Sequence, residues 1–230
     1  PCTRPIRGPA DALARGFSRP FSLFRCWQRD AIRSGLCGQA NTMVLASACA
    51  KTLKPSQRPM QLADANEDAF LFLSSECSRK GCQIAQNNRV SLFFDWLAQG
   101  RHVTVEGEVA IVRDKQQICR YFSQTFTPDL CRYFYAIDSN QSLAIDDEFK
   151  EQFQQEVDAL IRGGDSKGPP PPPPSMVLFC VEATGYEFCE NSNEIGNVRL
   201  VYSRCTEDSQ VDNRFTFSEC PDWVVEQIAQ

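Results

Sequence analysis

The clearest strand pattern in the chain is Val103-Thr104-Val105-Glu106-Gly107-Glu108-Val109-Ala110-Ile111. Successive side chains of a β-strand point to opposite faces of the sheet, so alternate residues share an environment. Here one face carries apolar side chains at positions 103, 105, 109 and 111, while the other carries Thr104, Glu106 and Glu108. This alternation predicts a β-strand and makes a β-rich fold the first hypothesis for the chain.

Further strand and helix patterns lie on both sides of this segment. Apolar runs of strand length occur at residues 42–48, 68–74, 90–96, 176–182, 185–189, 198–203, 214–217 and 223–228. Helical spacing occurs at residues 21–35, 78–86, 114–124 and 146–162, with Ser78 in the N-cap position of the second helix. The order of these elements predicts a mainly β protein, a mostly antiparallel barrel with flanking helices.

The composition argues against several classes of partner. The chain has 230 residues, and no apolar run approaches the roughly 20 residues needed to span a bilayer. The net charge of −5 argues against nucleic acid, which requires a basic face. The 12 cysteines include no CxxC pair and the single histidine is His102, so zinc-ligand spacing is absent. We therefore expect no membrane, nucleic-acid or metal partner, and a reducing compartment.

The expected barrel domain covers residues 20–230, and two segments of the chain have a different composition: residues 1–19 before the domain and a loop within it. Residues 1–19 carry four arginines and one acid, Asp11, which predicts a disordered basic arm; the tail of a mitochondrial transit peptide is the alternative. The expected location is therefore cytoplasmic, or mitochondrial under that alternative. A proline-rich loop is expected at residues 163–175. Its six prolines, 169–174, predict an extended polyproline II spacer, with a ligand for an SH3 or WW domain as the alternative.

The most informative short motif is Ser78-Arg79-Lys80-Gly81. Two cations in the first turn of a helix are unfavourable, because that end of the helix dipole is already positive. Free backbone N–H groups together with Arg and Lys suit a phosphate group. The tetrapeptide alone favours a solvated basic turn over a phosphate site. Cys77 and Cys82 flank the turn, and the neighbouring cations make them candidates for redox chemistry.

The order and spacing of many short segments resemble the pyridoxine/pyridoxamine 5′-phosphate oxidase family. The matching segments are Pro20-Phe21 with Phe24 and Trp27, residues 41–46, 58–62, 70–81 and 101–107, Tyr121-Phe122, Gln141-Ser142, Glu187-Phe188, Arg199 and residues 223–226. Together they span roughly residues 20 to 230. No single motif is decisive, but their collinearity is specific.

This resemblance implies an FMN-binding split β-barrel, with the flavin at the interface of a homodimer. The cofactor contacts carried over by position are Arg58, Pro59, Met60, Gln61, Leu73, Ser74, Ser78, Arg79, Lys80, His102, Gln141, Ser142 and Arg199. Three cations of this set would neutralise the FMN phosphate: Arg58, Arg79 and Lys80. Gln141, Ser142 and Arg199 would reach the flavin from the second subunit. His102 replaces a family Gln, and Cys189 replaces a family Trp, which removes a large packing surface.

The substrate side of the family pattern is less complete. Tyr121 is the one substrate-binding residue carried over, and no catalytic residue is. Ala63 stands at the family's Lys position, Thr125 at its Arg position and Asp129 at its Ser position. Residues 195–197, Ile-Gly-Asn, replace the Arg-Leu-His segment that faces the substrate ring. A substrate phosphate would therefore meet no compensating charge at these positions.

Three hypotheses follow from the resemblance and its departures. The first is an FMN-dependent oxidase that converts pyridoxamine or pyridoxine 5′-phosphate to pyridoxal 5′-phosphate in vitamin B6 metabolism. The second is a divergent paralogue that keeps FMN but uses another small-molecule substrate or acts as a flavin-binding or regulatory subunit. The third is a flavin-free split barrel that serves as an interaction module. We favour the second, because the departures cluster on the substrate side.

Overall fold

A computed structural model describes residues 4–35, 37–125, 155, 158–159, 171–192, 196–204 and 222–228. The helices are α1 (Pro9–Ala14), α2 (Pro20–Arg33), α3 (Cys37–Ala40), α4 (Arg79–Gln86) and α5 (Lys115–Thr125). The strands are β1 (Thr42–Ala48), β2 (Pro55–Gln61), β3 (Asp64–Ala65), β4 (Phe70–Ser75), β5 (Arg89–Trp96), β6 (Arg101–Val112), β7 (Met176–Ser192), β8 (Gly196–Arg204) and β9 (Trp223–Gln227). The expected mainly β architecture with flanking helices is confirmed.

All strands of the described residues belong to one antiparallel sheet. Its order is β2-β1-β5-β6-β7-β4-β3, with β8 added to β7 and β9 added to β8. Strand β7 pairs with β6 along its length, with β4 through its first half and with β8 through its second half. Strand β7 therefore changes one of its two partners midway, as the wall of a split barrel requires.

The two strands expected at residues 176–182 and 185–189 are one continuous strand, which corrects that prediction. The register between β6 and β7 shifts at Glu106/Gly107, where Gly107 pairs with Ala183 and Glu106 with Gly185. Thr184 is the extra residue of this β-bulge, and its hydroxyl donates to Glu106 O (3.3 Å). A bulge bends a strand without ending it. The gap between the two predicted segments therefore marks a bend.

Gly107 permits close contact between β6 and β7 at this bulge. A Cβ built there would overlap the carbonyl oxygen of Glu182, whereas a Cβ at Gly185 meets nothing nearer than Tyr202 O at 3.6 Å. We expect Gly107→Ala to lower the free energy of unfolding by about 1–3 kcal/mol, because β7 backbone must shift. Gly185→Ala is the matched control, with a change within about 1 kcal/mol. Urea unfolding followed by circular dichroism measures both, and equal effects would contradict the overlap.

The core of the barrel is aromatic and is closed by α2. Phe24 contacts the rings of Phe70 and Phe94 edge to face, each at 4.9 Å between centroids, and Trp27 contacts Phe188 at 5.3 Å. Leucine, phenylalanine and tryptophan at helical spacing supply this buried stripe, as predicted for residues 21–35. Edge-to-face pairs add about 0.5–1.5 kcal/mol each beyond area burial. Helix α2 is thus part of the core.

The basic arm differs from the expected disordered segment, because part of it packs on the barrel. Within the described residues 4–19, α1 forms and the side chains of Ile6 and Ala12 are fully buried. The hydroxyl of Tyr202 donates to Phe17 O (3.0 Å), which ties the arm to β8. The arginine content hid these few apolar anchors, which contact the sheet only in the folded chain.

A buried ion cluster joins the arm, α2, β6 and β7. Arg101 Nε donates to Glu190 Oε1 (2.7 Å) and Arg101 Nη1 donates to Asp30 Oδ2 (3.2 Å). The same guanidinium lies 4.9 Å from the centroid of the Trp27 ring. Ile6 N donates to the second oxygen of Glu190 (2.8 Å). Both carboxylates of the cluster therefore accept hydrogen bonds, which burial of charge demands.

Most remaining element predictions are confirmed, and two lie outside the described residues. Strands near 42–48, 68–74, 90–96, 198–203 and 223–228 and helices near 21–35, 78–86 and 114–124 are present with small shifts at their ends. Of the helix predicted at 146–162, the structure describes residues 155, 158 and 159, and these three are helical. The strand at 214–217 and residues 163–170 of the proline-rich loop fall outside the described part. Strand β2 was not predicted; it contains Pro55 and Pro59, which a strand at a sheet edge tolerates. In the described residues, no helix combines the length and apolarity of a membrane span.

Candidate functional site

The turn between β4 and α4 has the local structure of an anion-binding helix start. Ser78 caps α4: its Oγ accepts a hydrogen bond from Gly81 N (3.2 Å) and donates to Ser75 O (2.7 Å). A Cβ at Gly81 would overlap the backbone of Glu76, so glycine permits the tight turn. The first N–H groups of a helix have no intrahelical acceptor. The amides of Arg79 and Lys80 at the start of α4 therefore suit a ligand.

Lys80 is the most unusual residue of this turn. Its side chain is only 6% exposed, and among the described residues it has no hydrogen-bond acceptor and no carboxylate partner. Burial, followed by repulsion from the neighbouring Arg58 guanidinium, lowers the pKa of Lys80 from 10.5 to about 8. A buried ammonium group without an anion is costly. The position therefore suits a bound anion.

Arg58 lies beside Lys80 in a polar network that connects β1, β2 and α4. Its Nη1 donates to Leu45 O (3.2 Å) and Ser47 Oγ (2.8 Å), and its Nη2 donates to Ser56 Oγ (2.7 Å) and Gln83 Oε1 (3.3 Å). Both serine hydroxyls also donate to Gln83 Oε1, at 2.9 and 2.8 Å. The guanidinium orientation is therefore set by neutral oxygens.

The other predicted contacts of β2 and β4 divide between the two faces of their strands. On β2, Met60 packs against the barrel core, whereas Pro59 and Gln61 are exposed. On β4, Ser74 is fully buried and its Oγ has no partner among the described residues, while Leu73 packs into a cluster on the opposite face. An unpartnered buried hydroxyl is uncommon in folded proteins. It is a second polar group beside this turn that lacks a protein partner.

His102 and Arg199 lie in a separate row with Cys189. His102 of β6 pairs with Cys189 of β7, which pairs with Arg199 of β8. Arg199 Nη2 forms an ion pair with Glu187 Oε2 (2.8 Å), and Cys189 Sγ donates to Glu187 Oε1 (3.4 Å). Burial acts to raise the pKa of Glu187, but the hydrogen bonds from Arg199 and Cys189 outweigh it and hold the pKa below its usual value.

Cys189 is a poor nucleophile in this row. Burial first, and then its hydrogen bond to the Glu187 carboxylate, raise the pKa of the Cys189 thiol from 9.0 to about 11. The thiolate is the reactive form of cysteine, so a neutral thiol acts mainly as a small apolar group. Cys189 therefore adds no acid, base or nucleophile between His102 and Arg199.

The Arg58 group and the His102 row lie on opposite faces of the sheet. Paired residues point to the same face, and the register links Arg58 through Leu45 and Leu92 to Val105. His102 is three residues from Val105 on the same strand, and the register shift of β6 occurs later. An odd separation places side chains on opposite faces. One copy of the chain therefore does not bring these two groups together.

A groove of about 580 Å³ meets the Arg58 network only at Ser47. It is lined by Ala46, Ser47, Ala48, Pro55, Arg89, Val90, Ser91, Glu106, Gly107, Glu108 and Thr184. Its walls include both Glu106 and Glu108, and it contains neither Arg58 nor Lys80. Because anion-binding chemistry is concentrated at the start of α4, the shape of this groove does not identify the site.

Comparison with known families assigns this architecture. The family model described as pyridoxamine 5′-phosphate oxidase matches residues 29–148, more than half of the chain. The chain belongs to this family. The matched part contains β1 to β6 and α4, and so it includes the Arg58 and Ser78 turn region of the pyridoxamine 5′-phosphate oxidase fold.

Individual relatives agree with this assignment. A pyridoxine/pyridoxamine 5′-phosphate oxidase of Wolbachia pipientis wMel is 29% identical over 209 residues, covering 91% of this chain and 87% of that protein. The crystal structure of PhzG from Burkholderia lata 383 aligns with a TM-score of 0.75 at 19% identity, covering 95% and 96% of the two chains. A pyridoxamine 5′-phosphate oxidase-related, FMN binding protein of Nostoc punctiforme aligns with a TM-score of 0.59 at 16% identity, covering 88% and 97%. At these identities the structures support the split-barrel fold alone.

Two substrate positions of the pyridoxamine 5′-phosphate oxidase pattern, Ala63 and Tyr121, lie in an apolar cluster. Ala63 and Tyr121 pack with Leu71, Leu73 and Phe122 where α5 covers β4 and β7. Met176 and Leu178 complete the same cluster. Neither Ala63 nor Tyr121 supplies the cation that a phosphate requires, and Tyr121 is buried in the cluster.

The remaining substrate positions that the structure describes add no charge to this cluster. The hydroxyl of Thr125 donates to Tyr121 O (2.9 Å) and is thereby tied to its own helix. Asn197 is an exposed residue of β8, where it pairs with Asn191. Gln141, Ser142, Asp129 and Ile195 lie outside the described residues.

Three residues of the polar network were missed by sequence reasoning: Ser47, Ser56 and Gln83. The sequence contains a signal for two of them, Ser56 and Gln83. Ser56 lies two residues from Arg58 on the same face of β2, and Gln83 lies three residues from Lys80 on the same face of α4. Ser47 gave no local signal, because only the pairing of β1 with β2 brings it to Arg58.

Proposed function

We propose that this chain is an FMN-binding flavoprotein of the pyridoxamine 5′-phosphate oxidase type, with weakened or altered use of B6-vitamer phosphates. The observation that carries the proposal is the burial of Lys80 beside Arg58. Lys80 has no carboxylate partner in the described residues. Charges are rarely buried unless they are paired or bind a ligand. The phosphate of FMN is an anion of the required charge at neutral pH.

The described residues fit the phosphate end of the cofactor. The amides of Arg79 and Lys80 would donate to phosphate oxygens in the turn that Ser78 caps. Arg58 and Lys80 would neutralise the phosphate from the buried side, and exposed Arg79 would do so from solvent. Bound FMN would supply the redox centre that accepts a hydride from an amine or alcohol and returns its electrons to oxygen. The protein's own contribution is to hold the phosphate and orient the ring.

We infer that the site is completed in a homodimer. His102 and Arg199 are carried over by resemblance as flavin contacts, yet they lie on the opposite face of the sheet from Arg58. A ligand that touches both groups therefore needs two copies of the chain, one for the phosphate and one for the His102 row. A single copy should bind FMN weakly, because only its phosphate end would be held.

The FMN phosphate provides a direct test, because riboflavin is the same flavin without it. We expect FMN to bind at least about 100-fold more tightly than riboflavin, since each hydrogen bond between charged partners contributes about 1.5–3 kcal/mol. Quenching of flavin fluorescence on titration with the full chain measures both affinities. Equal affinities would reject the phosphate site, and absence of binding by either flavin would favour a flavin-free interaction module.

The substrate half of the proposal predicts a weak grip on phosphorylated vitamers. Ala63 and Thr125 provide no cation, so we expect pyridoxamine 5′-phosphate to show a high KM with the FMN-loaded protein. Oxygen-dependent formation of pyridoxal 5′-phosphate, compared with oxidation of unphosphorylated pyridoxamine, measures this. A strong preference for the phosphorylated substrate at low concentration would contradict altered substrate use.

A further inference from the structure

Cys77 and Cys82 occupy two special positions around the Ser78 turn. Cys77 directly precedes the N-cap residue Ser78, and Cys82 is the fourth residue of α4. Side chains at these two positions commonly contact each other across a helix start, an arrangement known as the hydrophobic staple. The cap hydrogen bond from Gly81 N to Ser78 Oγ shows that the local geometry is of this kind. The fold thus places the two thiols at paired positions of one helix start.

The distances agree with this placement. Cys82 Sγ lies 3.8 Å from the carbonyl oxygen of Cys77 and 3.9 Å from that of Glu76. The Cys82 thiol is therefore folded back over the residue that bears the other thiol. Both cysteines are exposed, so an oxidant reaches them without unfolding. Cys119 on α5 is also exposed and serves as the reference for an ordinary surface thiol.

We propose that Cys77 and Cys82 are an oxidation site, and that a peroxide converts them into a reversible disulfide that weakens anion binding at the Ser78 turn. One thiol attacks the peroxide, its sulfur is oxidised to a sulfenic acid, and one water leaves. The second thiol then attacks that sulfur, the S–S bond forms, and a second water leaves. Two thiols and one hydrogen peroxide thus give one disulfide and two waters.

The bond would act on the phosphate turn directly. A disulfide requires its two Cβ atoms to approach closely, so it pulls the first turn of α4 toward Cys77. That movement disturbs the Ser78 cap and the amides of Arg79 and Lys80, which lie between the two cysteines in the sequence. The regulatory part rests on the proposed function, which also supplies the oxidant, because two-electron reduction of oxygen by a flavin oxidase yields hydrogen peroxide. By linkage, bound FMN should disfavour the disulfide by the same factor.

The full chain tests this with three variants, Cys77→Ser, Cys82→Ser and the control Cys119→Ser. Reduced proteins are treated with hydrogen peroxide, remaining thiols are blocked, and peptide mapping locates cross-links. We expect a Cys77–Cys82 cross-link in the wild-type protein and in Cys119→Ser, with FMN affinity at least about tenfold lower and restored by dithiothreitol. Both other variants should keep their reduced-state FMN affinity after treatment.

Two results would overturn the proposal. The first is oxidation of Cys77 and Cys82 to separate acids with no cross-link, and the second is a cross-linked protein with unchanged FMN affinity. Failure of the proposed function looks different: the reduced protein would then bind no FMN, which rejects the regulatory part. The mapped cross-link would still decide whether the two thiols form an oxidation site.

Discussion

Lys80→Met is expected to weaken FMN binding while stabilising the ligand-free protein. The buried ammonium group is without an anion among the described residues, and burial together with Arg58 lowers its pKa to about 8. Methionine fills a similar volume without the charge. We expect FMN affinity to fall about 10- to 100-fold, the equivalent of one hydrogen bond between charged partners.

The stability effect has a defined pH dependence. In the unfolded chain Lys80 has a pKa near 10.5, so between pH 8 and 10.5 the unfolded state binds more protons than the folded state. Wild-type stability from this group therefore rises with pH across that window, and the full cost of the buried charge is present below pH 8. The difference of about 2.5 pKa units corresponds to roughly 3–4 kcal/mol. Lys80→Met should gain this below pH 8 and lose the advantage toward pH 10.5.

Arg79→Met is the matched control, since Arg79 is the exposed cation of the same turn. Its effect on ligand-free stability should stay within about 0.5 kcal/mol. Urea unfolding at pH 7 and pH 10, without ligand, and flavin titration at pH 7 measure the two effects. A Lys80→Met protein that is less stable than wild type at pH 7, or that keeps its preference for FMN over riboflavin, would contradict the role assigned to Lys80.

Removing the Arg101 guanidinium is expected to give the largest loss of stability. Arg101 is 7% exposed and its partner Glu190 is 5% exposed, and Asp30 shares the same guanidinium. Arg101→Met leaves two carboxylates without their cation inside the protein. Breaking a buried ion pair from one side costs about 3–5 kcal/mol. The N-terminal arm should loosen as well, because Ile6 N depends on the same Glu190 carboxylate.

A surface pair of equal length separates burial from charge. Arg19 and Glu67 are 2.8 Å apart, close to the 2.7 Å of Arg101 and Glu190, but their side chains are 60% and 59% exposed. Arg19→Met should therefore cost less than about 1 kcal/mol. Urea unfolding of both variants measures the contrast, and limited proteolysis reports on the arm. Similar losses in the two proteins would show that burial is not the cause.

The local parts of this protein could be read from its sequence. Strand β6 follows from alternating valines, α2 from its aromatic stripe, and the start of α4 from Ser78. Each depends on residues within one or two turns of chain, so short-range patterns contain the information. The family also follows from short collinear motifs, and the match to residues 29–148 confirms it.

Other features depend on contacts between distant segments. Strand β2 contains two prolines and is stable because it lies at a sheet edge, and β7 continues through Thr184 because a bulge absorbs the extra residue. The amide of Ile6 donates to Glu190, a residue 184 positions away. None of these has a local signature, because the partner that decides the outcome is far away in sequence.

The Val103–Ile111 pattern by itself determined that the chain builds a barrel wall, and Ser78-Arg79-Lys80 that a basic helix start follows a strand. The tertiary structure alone decided that Lys80 is buried beside Arg58, and that His102 faces the other side of the sheet. A sequence states which charges are present, whereas their cost depends on solvent exposure and on neighbours contributed by other strands. For that reason a motif that suggested a solvated basic turn contains, once folded, a buried cation, which we propose binds the FMN phosphate.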